Sequence, residues 1–261
     1  MKKPVLFGLI GLVLLVVFGI FYLTKKPAST APISQDTTPD LPINTTPLED
    51  RPFITLSPDS TGRSLNITLS AAPTEGSLEY ELIYNASGKQ EGALGSIFLG
   101  SEKQPITKSI LLGSKSGGGK VTYHEGVTGG SMTITYDTTR LKESWNYLHF
   151  DPTDPTISST DARFSVTLPK TALKKDAVII TMKTFGYPAL EGKVVSGPYG
   201  YFTQTSVKVP AQVSLKLPAG EHVNPTIFEW NGTVWKTLPT KLTDDTVSAT
   251  ATANIFVVTV E

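Results

Sequence analysis

From residue 51 onward the apolar residues of this chain recur at every second position, a period that suits strands and little else. LNITLS sets Leu65, Ile67 and Leu69 on one face. LEYELIY sets Leu78, Tyr80, Leu82 and Tyr84 on one face and Glu79 and Glu81 on the other. SMTITY repeats the pattern with Met132, Ile134 and Tyr136, and RFSVTL, QVSLKL and NIFVVTV continue it. Gly, Pro, Asn and Asp punctuate these runs at the spacing of a sandwich. Only TTRLKESW and KTALKKD have helix-like spacing past residue 50, and both are short. The expectation is an all-β chain of two β-sandwich (Ig-like) domains, residues 51–152 and 158–261. The boundary is expected in DPTDPTISSTD, residues 151–161, where two Asp-Pro pairs and a Ser/Thr run interrupt the period.

The first 26 residues follow another rule. Val5 to Leu23 contains no charge, and Lys2, Lys3, Lys25 and Lys26 flank it. An uncharged run of that length can cross a bilayer as a helix. It has no polar stripe, which argues against a core helix, and it exceeds an ordinary signal-peptide core. The reading is a retained transmembrane anchor, with a cleaved signal peptide as the alternative. Residues 27–50 hold five prolines and many Ser and Thr, so they are expected as a disordered stalk of up to ~70 Å when extended. A short N-terminal tail before the anchor and a stalk after it place the bulk of the chain outside the cytoplasm, at the cell membrane.

Composition removes several functions. Lys and Arg number 23 and Asp and Glu number 23, so there is no electrostatic case for nucleic acid. The chain has no cysteine, which excludes thiol catalysis, zinc thiolates, disulfides and lipoprotein attachment. LLGSKSGGGKVTYHEGVTGG is glycine-dense, but a phosphate loop counted back from Lys120 needs glycine at Ser114 and a hydroxyl at Val121. Strand-like runs flank it, so it reads as a hairpin and no nucleotide is expected. His124, His149 and His222 form no metal-binding pattern, and neither G-x-S-x-G nor S-x-x-K occurs. No cofactor, metal or enzyme activity is expected, although a dispersed triad or carboxylate pair is not visible in sequence. Asp151, Asp154 and Asp161 raise a calcium site, but two prolines and the lack of a glycine favour a plain linker. The sequons at Asn44, Asn66, Asn85 and Asn231 read as polar turn residues.

Two aromatic groups are candidate binding platforms. TIFEWNGTVWKTL carries Asn231-Gly232, the favoured pair of a two-residue type I′ turn, which would set Trp230 opposite Thr233 and Phe228 opposite Trp235. Those tryptophans read mainly as core, with a sugar-stacking surface as the alternative. GYPALEGKVVSGPYGYF offers Tyr187, Tyr199, Tyr201 and Phe202 among Gly and Pro, on segments expected to be exposed loops. These four are the ligand-binding candidates, against ordinary loop packing.

FSVTLPKTALKKDAVIITM from Phe164, then VPAQVSLKLP, IFEWNGTVWKTL, DDTVSATA and NIFVVTV, resemble in order the β-sandwich module of ankyrins, netrin receptors and zonula occludens proteins, which has relatives on bacterial surfaces. The resemblance covers residues 158–261. It implies an adhesive or force-bearing scaffold without catalytic residues, and none of the family's partner-binding residues has a match here. Residues 78–136 look like modules of bacterial surface proteins. The expected function is non-enzymatic: adhesion, envelope structure or assembly with other surface proteins. A carbohydrate- or peptidoglycan-binding module is the first alternative, and a hydrolase is the second.

Overall fold

The computed structural model describes residues 41–100, 102–207 and 209–261. The expected anchor, and the expected stalk as far as residue 40, lie outside the described residues. Among those described, no helix is long and apolar enough to cross a membrane.

The chain is all-β. Its first strands are β1 (Phe53–Pro58), β2 (Ser64–Ser70), β3 (Ser77–Ala86), β4 (Lys89–Phe98) and β5 (Ile106–Leu111). Then come β6 (Gly113–Lys115), β7 (Val121–Tyr123), β8 (Val127–Tyr136), β9 (Thr139–His149) and β10 (Thr156–Ser158). The second half contains β11 (Phe164–Thr167), β12 (Val178–Lys183), β13 (Lys193–Thr203), β14 (Ala211–Lys216) and β15 (Thr226–Trp230). It closes with β16 (Trp235–Thr237), β17 (Lys241–Thr243), β18 (Thr246–Ala251) and β19 (Ile255–Val260).

A nine-stranded sheet in the order β16-β15-β19-β13-β12-β9-β8-β3-β4 forms the backbone of the fold. A three-stranded sheet, β1-β2-β5, a five-stranded sheet, β10-β11-β14-β18-β17, and a two-stranded β6-β7 ribbon complete the described strands. The three- and five-stranded sheets cover opposite faces of the large one. Residues one apart on a strand point to opposite faces, and on β12 Ile180 and Met182 join the core beneath β1-β2-β5 while Ile179 joins the other. On β13, Phe202 belongs to the first core and Tyr199 and Tyr201 to the second. On β19, Ile255 and Phe256 divide in the same way.

This arrangement explains why VIITM and IFVVTV are so continuously apolar. A strand covered on both faces has no polar register to spare, and residues 178–182 and 255–259 are buried without interruption. On β3 one face is open to water, and the alternation there is clean: Leu78, Tyr80, Leu82 and Tyr84 are all buried while Glu79 is exposed.

Several expectations need correction. Residues 151–161 do not separate two independent domains. β9 before them pairs with β12 after them, from Val178 opposite His149 to Met182 opposite Trp145. The first core is also completed by Val178, Ile180, Met182, Phe202 and Ile255, and residues 41–261 form one unit. The segment TTRLKESW lies largely in β9, because Leu141 and Trp145 reach the core with strand spacing. KTALKKD forms turns between β11 and β12.

The stalk also ends earlier than residue 50. Ile43 bridges to Arg140, and the Asn44 side-chain amide donates to Lys142 O and accepts from Lys142 N–H, both at 2.9 Å. Asn44 thereby mimics a strand backbone at the part of β9 that β12 does not reach. Arg51 fastens the segment by donating to Thr46 O and Asn44 O. Asn66 and Asn85 lie in β2 and β3 rather than in turns.

Candidate functional site

An open groove of about 500 Å³ runs along β1 between that strand and the β15–β16 turn. β1 is the outer strand of its sheet, and it rests against the nine-stranded sheet through Leu56, whose N–H points at Met182 Sδ at 3.2 Å. Phe53, Thr55 and Ser57 line one wall. Tyr201, Phe202, Thr203 and Ile255 line the floor, with Trp230, Asn231, Thr252 and Asn254 at the far side.

Among the described residues, the lining has no acid, base or histidine. Its polar groups are hydroxyls and amides. The side chains of Thr55, Ser57, Ser206 and Asn254 make no hydrogen bond among the described residues, so their hydrogen-bonding capacity is available. Others are already committed: Thr203 donates to Thr205 O, and Thr252 donates to Glu229. The Tyr201 hydroxyl faces Ala253 O at 3.4 Å, and burial, reinforced by Glu229, pushes it up to about 12. It is therefore protonated at neutral pH. Glu229 itself is buried beneath the turn, accepting the N–H groups of Thr252 and Ala253 at 2.8 and 2.9 Å. That carboxylate fixes the backbone leading to Asn254.

The aromatic candidates fall differently from expectation. Tyr199, Tyr201 and Phe202 are not loop residues: they lie in β13 and are 3%, 2% and 7% exposed. Alternation sends Phe202 to one core and both tyrosines to the other, so the three cannot share a platform. Tyr199 stacks on Phe164 at 5.5 Å, and Tyr201 stacks on Phe256 at 6.4 Å. Tyr187 is half-buried near Glu49 and Asp50, away from the others.

Trp230 also lines the groove, beside Phe53, Tyr201 and Phe202. Its hairpin is not the expected two-residue turn. Asn231 Oδ1 accepts the N–H groups of Thr233 and Val234, both at 2.9 Å, and opens the connection to four residues. The register shifts with it. Trp230 lies opposite Trp235 and Phe228 opposite Thr237. The indoles are half-buried, tilted by 54° with centroids 5.4 Å apart, and Trp235 Nε1 donates to Pro188 O. They pack on the edge of the first core, and Trp230 also lines the groove.

The other sequence candidates serve local structure. The glycine stretch forms the β6–β7 hairpin, with Ser116 and Lys120 closing its turn. Asp151 accepts the Thr153 N–H and hydroxyl within a tight turn, bonds that hold its carboxyl below the usual range. Burial alone would raise the Asp161 carboxyl, but hydrogen bonds from Ser159, Tyr199 and the Arg163 N–H outweigh it and keep it low. Burial, then that Asp161 bond, pushes the Tyr199 hydroxyl well up. No cluster of metal-ligating side chains occurs among the described residues. His124 Nδ1 meets Tyr84 OH, His149 Nδ1 meets Asp176 O, and His222 Nε2 meets Pro218 O. None of these contacts orients a serine.

The fold and the groove together define a class: an all-β, sandwich-like protein with an open, aromatic-edged cleft that has no charged lining residue among those described. No family model matches the chain, and comparison with curated proteins and with solved structures finds no match.

Proposed function

We propose that this is a non-enzymatic, membrane-anchored extracytoplasmic protein that binds a neutral glycan, such as a cell-wall strand, in the groove along β1. The observation that carries the reading is the lining of that groove: the half-buried Trp230 beside Thr55, Ser57, Ser206 and Asn254, with no charged side chain among the described residues. Sugar rings present apolar C–H faces to aromatics and hydroxyls to amide and hydroxyl partners, and this surface supplies both. A hydrolase would need a carboxylate or histidine within reach of the scissile bond, and the lining has neither among the described residues. The uncharged run Val5–Leu23 and the proline-rich segment after it support display from the cell membrane. Adhesion or envelope attachment follows from holding a glycan at the end of such a stalk.

The test is sedimentation of the full-length protein, in detergent, with purified peptidoglycan and on a neutral-glycan array. Trp230→Ala and Asn254→Ala should each weaken retention at least tenfold with the melting temperature nearly unchanged. Absence of retention by wild type, or equal retention by both variants, would contradict the proposal.

A further inference from the structure

The nine-stranded sheet ends on one side in β4, ten residues long, and on the other in β16, three residues long. Ala86 pairs with Lys89 across the Ser87-Gly88 turn, and Leu99 N–H donates to Gly76 O, so the odd-numbered residues of β4 turn their backbone groups toward β3. Gly92, Leu94 and Ser96 turn theirs to the open edge, where nothing among the described residues pairs with them. Leu94 is also 77% exposed.

Edge strands are ordinarily protected by shortness, proline, a bulge or central lysines. β4 has none of these: it contains no proline, its register with β3 is unbroken, and Gly92 to Phe98 carries no charge. We propose that β4 is an assembly edge that pairs antiparallel with β4 of a second copy of this chain, about a two-fold axis at Leu94.

Two observations favour that occupant. The axis stacks Leu94 on Leu94 and Gly92 on Ser96 of the second copy, so the uncharged run meets itself without like charges. Growth from β4 onto β16 of the next copy would form only a three-residue ladder, whereas β4 on β4 brings Gly92, Leu94 and Ser96 of both copies into one ladder.

The chain has no cysteine, so single-cysteine variants of the full-length protein in detergent give a clean readout. Hydrogen-bonded antiparallel partners lie ~5.5 Å apart at Cα, within disulfide range. Leu94→Cys should form a covalent dimer under mild oxidation. Val223→Cys, at an exposed apolar position away from β4, should form at least tenfold less. Adding Ser96→Pro, which deletes one outward N–H and no rung to β3, should cut the Leu94→Cys dimer at least tenfold. Ser96→Lys should do the same, and melting curves verify that each variant is folded. Equal yields from the Leu94→Cys and Val223→Cys variants, no dimer at all, or indifference to both Ser96 substitutions in folded protein would overturn the proposal.

Discussion

Glu143 lies on β9 with its carboxylate 3.5 Å from Arg51 Nη1, and both side chains are nearly out of water. Burial pushes the Glu143 carboxyl from 4.5 up to about 7, against the opposing pull of Lys183 and Arg51. A folded value above the unfolded one has a definite sign. Stability is whole below about 4.5 and declines as pH rises through about 7, because ionising the buried carboxyl costs more in the fold than in the open chain. The urea midpoint of wild type should therefore fall between pH 4.5 and 7.5, and Glu143→Gln should flatten that decline. Asp161 acts in a separate window: its lowered carboxyl contributes stability that is lost only as pH falls below its usual 3.8. Identical pH profiles for wild type and Glu143→Gln would contradict the assignment. Arg51 also fastens Asn44 and Thr46, so Arg51→Ala should raise proteolysis between residues 41 and 50.

Single elements report two cores at once. Ile179 and Ile180 are adjacent on β12, fully buried, and face different sheets. Ile179→Ala and Ile180→Ala should each cost about 2–5 kcal/mol, measured by urea denaturation. Both should displace one common transition. Glycines separate as sharply. A Cβ at Gly130 would sit 2.0 Å from Ile83 O, whereas one at Gly117 meets nothing within 4 Å. Gly130→Ala should disrupt the β3–β8 ladder, and Gly117→Ala should leave the melting temperature within about a degree. Much of this was legible in sequence. The strands with one wet face announce themselves by alternation, as LEYELIY and LNITLS do. The doubly covered strands do not, because VIITM is equally compatible with any buried segment. The groove was half legible. Trp230 stood out by type, but its register depended on the Asn231 side chain accepting two N–H groups, a choice that Asn-Gly alone does not reveal. Thr55, Ser57 and Asn254 carried no signal, since they meet only through the packing of β1 on distant strands.

At the scale of the whole molecule, the groove has walls from both ends of the chain, Phe53–Ser57 on one side and Trp230 to Asn254 on the other. The sheet between them joins the parts that the composition of residues 151–161 appeared to divide. This coupling ties the groove to the fold: a break between β9 and β12 opens the first core and parts the β1 wall of the groove from its floor on β13 and β19. The most direct measurement is therefore the unfolding of the fragment 158–261 beside the full-length protein, followed by tryptophan fluorescence and far-ultraviolet circular dichroism in urea. The full-length protein should unfold in one cooperative step, and the fragment should show no cooperative transition and no glycan retention. A fragment 158–261 that unfolds cooperatively by itself would contradict the shared-sheet account.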